Sequence, residues 1–409
     1  MRKAWRHVPA KWFIVMLLML GGSALRVPLA RAVPQPVPLS FLSPDRLRAL
    51  APLLRGADLA LLEAQPNGRM RQITTMTFVA APPEQLREVV IHPERYTEFV
   101  RNMSQSTVRP NADGTLEHFY RVSYSVATIY GQHRFVFLPP APGGDPKSAP
   151  IQIYDSEDNG IRHYRWEFLP VPGGTLLTVY GFTPIPDSGI MGKLLARLPS
   201  LEYGLALITQ LTQVLAMKSR AEQLAGPQPI AQLPPATSAV YGFLLERGSV
   251  VMMRTSHGRL SDVSMIERTR ARPDVLIQVA GRPELWSQFV PSISKSVAMD
   301  PQGGVAAVEL EQSLPLMSWK TVYGIRSNQS AVDMLGLSGD LRDARIRWDI
   351  RPQEGGITQI SLRTNKAFDR TSLLVRQLYK LEPLFEYGVN VGIDILILWG
   401  VKARAEQLS

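Results

Sequence analysis

The sequence repeats itself over most of its length, and this feature constrains the fold more than any other. A shift of 190 residues places Pro83 on Pro273 and residues 93–96 on 283–286. Near the end of each copy, a shift of 184 aligns residues 201–204 with 385–388 and residues 218–224 with 402–408. The two shifts differ by six residues, and we expect this difference in length to lie in loops. Residues 139–144 are the first candidate for such a loop. The repeat predicts two copies of one domain in tandem.

The length of the chain agrees with this organisation. At 409 residues it exceeds what one hydrophobic core usually supports. The predicted ranges are a signal peptide at 1–32, a first domain at 41–225, a linker at 226–238 and a second domain at 239–409. The linker holds Pro227, Pro229, Pro234 and Pro235, which do not allow a helix to continue through it.

The first 32 residues have the order of an export signal. A basic start is followed by the apolar run 12–20 and then by Ala30-Arg31-Ala32, an A-x-A cleavage site. We predict cleavage before Val33 and a periplasmic or secreted protein. The alternative is an uncleaved N-terminal anchor that faces the periplasm.

Charge and cysteine content exclude several classes of function. The formal net charge is +10, but residues 1–32 hold six basic residues and no acid, so the remainder carries only +4. No basic run with interleaved aromatics is present, and nucleic acid is not an expected partner. The chain has no cysteine, which excludes disulfides, thiolate metal sites and cysteine nucleophiles.

The order of elements within a copy is clearest in the second one. Residues 248–255 and 260–270 have the pattern of a β-hairpin, and a short helix is predicted after Pro273. The further predicted strands are 305–312, 319–326, 344–351 and 358–364. A long helix closes each copy, from Ser372 to Gln407 and from Met191 to Leu224, with breaks expected at Pro383 and Pro199. This order predicts an α+β fold with a helix across an antiparallel sheet.

Two segments carry a resemblance to a known superfamily. Ala81-Pro82-Pro83-Glu84 is followed by residues 92–100, and the second copy has Arg272-Pro273-Asp274 followed by residues 282–291. These segments resemble the SRPBCC or START-like proteins, in particular polyketide cyclase/dehydrase-like and coenzyme-Q-binding-protein-like members. The resemblance implies two tandem helix-grip domains, each a curved antiparallel sheet wrapped on a long C-terminal helix. It also implies a cavity for lipids, sterols, quinones or polyketides.

Motifs for metal or nucleotide chemistry are absent from the sequence. The six histidines show no ligand spacing, and no phosphate-binding or dinucleotide-binding glycine motif occurs. Residues 155–160 imitate the start of a calcium loop, but Trp166 stands where the last ligand belongs, so a polar hairpin turn explains them better. We therefore expect no metal, no cofactor and no catalytic constellation.

Aromatic residues at corresponding places are the first candidates for a binding site. Tyr96 corresponds to Trp286, and Phe99 corresponds to Phe289. They serve core packing or, in the functional interpretation, Tyr96 and Trp286 edge the mouth of a cavity. The candidate ligand-binding residues are Tyr96, Phe99, Tyr203, Gly204, Trp286, Phe289, Gly388, Gly392, Ile395 and Trp399.

The closing helix of the second copy shows two further patterns. Glu386, Asn390 and Asp394 are spaced at i, i+4 and i+8, and we expect this polar stripe to be the solvent face, with a buried polar site as the alternative. The other side carries Gly388 and Gly392. Because glycine is unfavourable inside a helix, these two either leave room for a ligand or permit close packing on a strand.

Three functions fit these observations. The first is an exported binding or transfer protein for a hydrophobic small molecule, with transient membrane contact and no covalent step. The second is a cyclase-like, aromatase-like or hydrolase-like enzyme that uses Tyr120, His133 or His163. The third is a pair of solidly packed domains that bind another protein.

Overall fold

The structure is a computed structural model, and it divides the chain into two compact units. It describes residues 38–123, 128–140, 142–157, 160–184, 201–226, 238–256, 259–314, 317–368, 370–372, 376–377, 380 and 385–409. Unit 1 contains residues 1–56, 70–192 and 209–237, and unit 2 contains residues 57–69, 193–208 and 238–409. Two segments of the first copy, residues 57–69 and 193–208, therefore belong to unit 2. The predicted domain ranges follow the repeat and assign both segments to the first domain.

Unit 1 follows the order of elements expected for one copy. Its helices are α1 (Pro44–Ala49), α2 (Ala51–Leu54), α3 (Pro83–Ile91) and the part of α4 (Leu201–Ala225) from residue 209 onward. The 3-10 helices are Pro93–Glu98 and Pro146–Ser148. Its strands are β2 (Met70–Val79), β3 (Met103–Pro110), β4 (Leu116–Ser123), β5 (Thr128–Phe137), β6 (Ile151–Asp155), β7 (His163–Val171) and β8 (Gly174–Phe182).

The strands of unit 1 form an antiparallel sheet in the order β2-β8-β7-β6-β5-β4-β3. Helix α4 covers one face, which we call the inner face. Val214, Met217 and Ala221 of α4 share a buried core with Phe135 and Trp166 from the sheet. Because side chains alternate along a strand, every second residue around these two also lies on the inner face.

Unit 2 repeats this plan and adds two strands. Its helices are α5 (Pro273–Ala280), α6 (Phe385–Leu408) and residues 201–208 of α4, and its 3-10 helices are Ser238–Tyr241, Pro283–Gln288 and Glu354–Gly356. Its strands are β1 (Asp58–Ala64), β9 (Ser249–Ser256), β10 (Arg259–Thr269), β11 (Ile293–Gln302), β12 (Val305–Leu314), β13 (Met317–Ser327), β14 (Ala331–Gly339), β15 (Arg345–Pro352) and β16 (Thr358–Asn365).

The sheet of unit 2 has the order β11-β12-β13-β14-β15-β16-β10-β9-β1. Its first seven strands match those of unit 1 one for one, since β10 corresponds to β2 and β16 to β8. The added strand β1 comes from the first copy and pairs antiparallel with β9, with Ala60 opposite Val251. Arg247 reinforces this edge through an ion pair with the buried Glu63 at 3.0 Å.

Local sequence explains why corresponding elements start and end at corresponding residues. Helices α3 and α5 both begin with proline, which lacks the N–H that a first helical residue leaves unused. The next proline lies two residues beyond the end of α3, at Pro93, and three residues beyond the end of α5, at Pro283. Thr175 and Thr358 each donate a buried hydrogen bond to the carbonyl of Ala81 or Ala271, at 2.7 and 2.8 Å. The same contact thus ties the last strand to the residues just before α3 in unit 1 and just before α5 in unit 2.

These elements confirm the predicted α+β fold. The predicted hairpin and the short helix are present, and the four further strands of the second copy lie within a residue or two of their predicted ends. The sequence reading missed β11 and β14, in which polar and apolar residues do not alternate clearly. Residues 1–32 and most of the linker lie outside the described residues. No helix among the described residues is long and apolar enough to cross a membrane.

Candidate functional site

Polar side chains gather on the inner face of unit 1 beside an apolar wall. In the strand register, His118 lies opposite His133 and Tyr120 lies opposite Gly131. Asp155 is the next residue across from His133. We call the set Ser106, His118, Tyr120, His133, Asp155 and Arg162 the first polar cluster. The rings of His118 and Phe135 lie 5.8 Å apart, so the cluster adjoins the apolar core of the unit.

The hydrogen bonds of His118 define its protonation. Ser106 donates its single hydroxyl proton to the carbonyl of Pro93. Its oxygen lies 2.7 Å from Nε2 of His118, so Nε2 must carry the proton and donate it. Nδ1 is therefore an acceptor. It is buried and has no hydrogen-bond partner among the described residues.

Burial keeps His118 neutral. The residue is only 2% exposed. Loss of hydration, with a smaller contribution from the charge of His133, lowers the pKa of His118 to about 3. Near neutral pH the ring is thus an uncharged hydrogen-bond acceptor aimed into the interior, and a buried acceptor without a donor costs roughly 1–3 kcal/mol.

Tyr120 lies across the backbone of Gly131. A Cβ atom at residue 131 would come within 2.1 Å of the Tyr120 hydroxyl oxygen, so only glycine leaves room for this ring position. The ring centroids of Tyr120 and His133 are 4.8 Å apart. Within the described part of the chain, the Tyr120 hydroxyl makes no hydrogen bond. The residue as a whole is half-buried.

An ion pair completes the cluster. Asp155 is buried and contacts Arg162 at 3.0 Å. Burial, assisted by the negative charge of Asp155, raises the pKa of Tyr120 above its usual range. Tyr120 therefore stays protonated and can donate a hydrogen bond over the whole physiological range of pH.

The sequence named Tyr120, His133 and His163 as candidate acid–base groups, and the structure brings only the first two together. His163 is buried outside the first polar cluster, where it stacks on Tyr154 and its Nδ1 lies 2.9 Å from the carbonyl of Ile161. The sequence analysis did not single out His118 or Ser106. The alternation of side chains along a strand could have found them. His118 lies two residues before Tyr120 on β4, and Ser106 lies opposite Tyr120 on β3.

The aromatic candidates after the first helix of each copy lie in the core. Tyr96 donates to the carbonyl of Val90 at 2.6 Å, and Trp286 donates to the carbonyl of Val279 at 3.2 Å. Both are buried, so neither stands at the mouth of a cavity as the functional interpretation held. Phe99 and Phe289 are half-buried beside them.

The glycine candidates mark a close contact between helices of unit 2. A Cβ atom on Gly204 would lie 3.0 Å from the carbonyl oxygen of Gly388 and 3.3 Å from the Cα atom of Gly392. A Cβ atom on Gly388 would collide with Ile208. The glycines therefore permit close packing and leave no room for a ligand, and the partner is a helix instead of the expected strand.

Three other candidates, Tyr203, Ile395 and Trp399, also lie in unit 2. Tyr203 meets Trp399 edge to face, with ring centroids 5.2 Å apart. The Tyr203 hydroxyl donates to the carbonyl of Arg69 at 3.1 Å. Ile395 of α6 is fully buried. These residues act in packing within unit 2.

Two residues of the polar stripe on α6, Asn390 and Asp394, do not face solvent, which corrects the sequence expectation for them. Asn390 and Asp394 are buried, and Asp394 is fully so. Lys366 and Thr364 donate to the Asp394 carboxylate, which explains how a charge is held in the interior. The alternative interpretation, a buried polar site, is the one that the structure has.

A pair of tryptophans was missed although the repeat shows it. Trp166 and Trp348 occupy the same position in the sequence Arg-Trp-acid, at residues 165–167 and 347–349. Both are buried, and neither indole N–H has a hydrogen-bond partner among the described residues. Comparing the two copies at a shift of 182 would have revealed them. The described part of the chain places no group of three His, Asp or Glu side chains where it could hold a metal ion.

Comparison with known proteins returns structures but no sequence family. No protein-family model matches the chain, and no curated protein matches it. A solved structure of the di-domain ARO/CYC StfQ from the steffimycin biosynthetic pathway is 14% identical, with 82% of this chain and 98% of that chain covered and a TM-score of 0.28.

Two further solved structures each match only part of the chain. The STAR-related lipid transfer protein from Xanthomonas axonopodis is 12% identical, with 39% of this chain and 94% of that chain covered and a TM-score of 0.32. An 18 kDa protein from Caulobacter crescentus is 21% identical, with 36% and 97% covered and a TM-score of 0.29. Likeness at this level carries no information about function. The strand order, the first helix after the first strand and the long closing helix recur in both units, and the chain thus contains the same α+β fold twice, in the helix-grip arrangement of an antiparallel sheet with a long C-terminal helix.

Proposed function

We propose that this protein is an exported binding or transfer protein that takes up a hydrophobic small molecule in unit 1, between the inner face of the sheet and α4. The apolar core supplies the wall for the body of the ligand. The first polar cluster supplies the contacts for one polar end. Export, to a periplasm or to the exterior, is supported by the order of residues 1–32.

One observation carries this proposal. His118 Nδ1 is a buried acceptor without a donor, and the nearby Tyr120 hydroxyl has no hydrogen bond within the described residues. Because the fold alone does not require either polar group here, a ligand hydroxyl or N–H is their natural partner. The second copy supports this view, since Val308 and Leu310 stand at the positions of His118 and Tyr120 and complete the same fold.

The test is a binding comparison between Tyr120→Phe and Tyr130→Phe. Both changes remove one hydroxyl, and Tyr130 lies on the neighbouring strand with 59% of its surface exposed. A panel of long-chain alcohols, fatty acids, phospholipids, sterols and quinols is screened by thermal shift and isothermal calorimetry. We expect at least one compound to bind the wild-type protein, and Y120F to weaken its binding about three- to tenfold. Equal affinity of Y120F and the wild-type protein, or no stabilising compound at all, contradicts the proposal.

An acid–base enzyme on the same fold is the second candidate, and the contact between Tyr120 and His133 favours it. Efficient general acids and bases have a pKa near the working pH. The pKa of His118, about 3, does not meet this requirement, and neither does the raised pKa of Tyr120. A turnover that depends on His133 and shows a bell-shaped pH profile would establish the enzyme instead.

A further inference from the structure

The interior of unit 2 holds a separate polar site, which the proposed function does not use. Lys366 and Asp394 form an ion pair whose side chains are both 0% exposed. Thr364 donates a hydrogen bond to the second carboxylate oxygen at 2.5 Å. We call Tyr323, Thr364, Lys366, Asn390 and Asp394 the second polar cluster.

Two residues of this cluster have hydrogen-bond donors or acceptors that no described residue pairs with. The Lys366 ammonium has three N–H donors and makes only the one hydrogen bond to Asp394 within the described residues. The Oδ1 atom of Asn390, one helical turn before Asp394, is buried and without a partner in the described part of the chain.

The Tyr323 hydroxyl is a further polar group without a partner in the described part of the chain. By geometry, it is buried and has no hydrogen-bond partner among the described residues. Burial raises the pKa of Tyr323, and the negative charge of Asp394 adds to this effect. The unused donors of Lys366 and the unpartnered acceptor of Asn390 thus both adjoin Asp394, the first through the ion pair and the second through one helical turn.

The fold does not require these groups, because unit 1 builds the same elements without them. The positions of Thr364, Lys366 and Asp394 correspond to Gly181, Thr183 and Gln210. Gln210 makes a hydrogen bond to the carbonyl of Val179, and no ion pair is needed there. A buried ion pair rarely adds stability over apolar residues of similar volume, so its presence in unit 2 alone points to another role.

The chemistry of the site selects a neutral ligand. Lys366 and Asp394 compensate each other, so a ligand carboxylate or ammonium would add an unpaired charge to an interior that excludes water. A hydroxyl group can accept from Lys366 or Tyr323 and at the same time donate to Asn390. We propose that unit 2 binds an apolar molecule with one neutral hydroxyl group, and that the second polar cluster holds this hydroxyl.

The test counts bound ligands by native mass spectrometry of the full chain. The probes share a twelve-carbon tail and differ in the head group: 1-dodecanol, dodecanoate and dodecyltrimethylammonium. The variant K366M/D394L removes both charges of the site, so it avoids an unpaired buried charge. The control R347M/D333L removes one cation and one anion from the surface of the same unit, where both side chains are about half exposed.

We expect K366M/D394L to lose one bound dodecanol, or to bind it about tenfold more weakly, while the control matches the wild-type protein. Retention of the wild-type count and affinity in K366M/D394L overturns the proposal. A loss of dodecanoate or dodecyltrimethylammonium binding as large as that of dodecanol overturns the assignment to a neutral group.

Two further variants distinguish a loss of ligand binding in unit 2 from poor folding and from effects on unit 1. Asn390→Leu removes the unpartnered acceptor without any change in charge, and it should weaken dodecanol binding even if the double variant is poorly folded. Y120F reports on unit 1 only. If the proposed function fails, Y120F has no effect, yet the difference between K366M/D394L and its control still decides the inference for unit 2.

Discussion

At the scale of single residues, His118 ties stability to pH. Its pKa in the folded protein is about 3, below the 6.5 of a free histidine, so the unfolded chain binds one more proton between these values. The stabilising effect of a neutral His118 is thus fully present above pH 6.5 and is lost as the pH falls toward 3. Between pH 6.5 and 4.5 the loss should amount to about 2–3 kcal/mol.

This prediction is tested with His118→Gln, which cannot take up the proton. Urea unfolding at pH 7.5 and at pH 4.5 gives the free energy of unfolding for each protein. The difference between the two pH values cancels any constant cost of the substitution, and we expect it to be smaller in H118Q by about 2 kcal/mol. An unchanged difference would show that His118 is not the buried neutral group described here.

The buried ion pair of unit 2 makes a second prediction at this scale. Lys366→Met alone leaves the Asp394 carboxylate without its cation in the interior and should cost about 3–5 kcal/mol. Asp394→Leu alone strands the lysine with a similar cost, whereas K366M/D394L should be close to the wild-type protein. Chemical denaturation of the four proteins measures this cycle, and additive effects of the two single changes would contradict a direct contact.

The contacts and the burial of individual side chains were the hardest features to predict from the sequence. Tyr120 and His133 could be named because they are titratable and lie in strand-like segments. Their meeting depends on the register of β4 and β5, which a single sequence does not fix. The burial of Asp394 could not be foreseen either, since its partner Lys366 is 28 residues away and follows a strand.

At the scale of elements, replacing the glycines of α6 and α4 by alanine tests the helix packing through the sign of the change in stability. In an isolated helix, Gly388→Ala is stabilising by about 1 kcal/mol. In unit 2 the new methyl group would meet Ile208 and the carbonyl oxygen of Gly204, so we expect G388A and G204A each to destabilise by about 1–3 kcal/mol. Equilibrium unfolding in urea gives the sign directly. Stabilisation by either change would mean that the helices do not pack closely there.

The sequence predicted the helix but not its surroundings. The apolar residues of α6 surround it almost completely, and such a helix is buried. The short polar stripe nevertheless suggested a solvent face, because isolated polar residues on helices usually face water. Periodicity identifies which residues share a side, whereas the identity of the covering element depends on contacts distant in sequence.

At the scale of the whole molecule, the set of chain segments that make up unit 2 predicts the stability of its fragments. A fragment of residues 239–409 lacks β1 and residues 201–208, so it leaves the edge of β9 unpaired and Gly388 uncovered. We expect its urea midpoint to lie below that of unit 2 in the full chain. The full chain nicked within 227–237 is the control because it keeps every segment. Equal midpoints for the fragment and the nicked chain would show that each copy folds independently.

The repeat made the architecture predictable, since two matching copies with the same start and end residues require the same fold twice. The differences between the copies carried less information in the sequence. Each unit has its own polar cluster, built on the strands in unit 1 and around Asp394 of α6 in unit 2, and this became visible only when strand register and burial were known. The domains that look alike in sequence are thus expected to select different ligands.

The most direct test of the central claim is native mass spectrometry of residues 33–409 purified without detergent. We predict a bound apolar molecule that stays with Y130F and is depleted in Y120F. A wild-type protein that carries no adduct and binds none from the ligand panel would contradict the account of unit 1 as a binding domain.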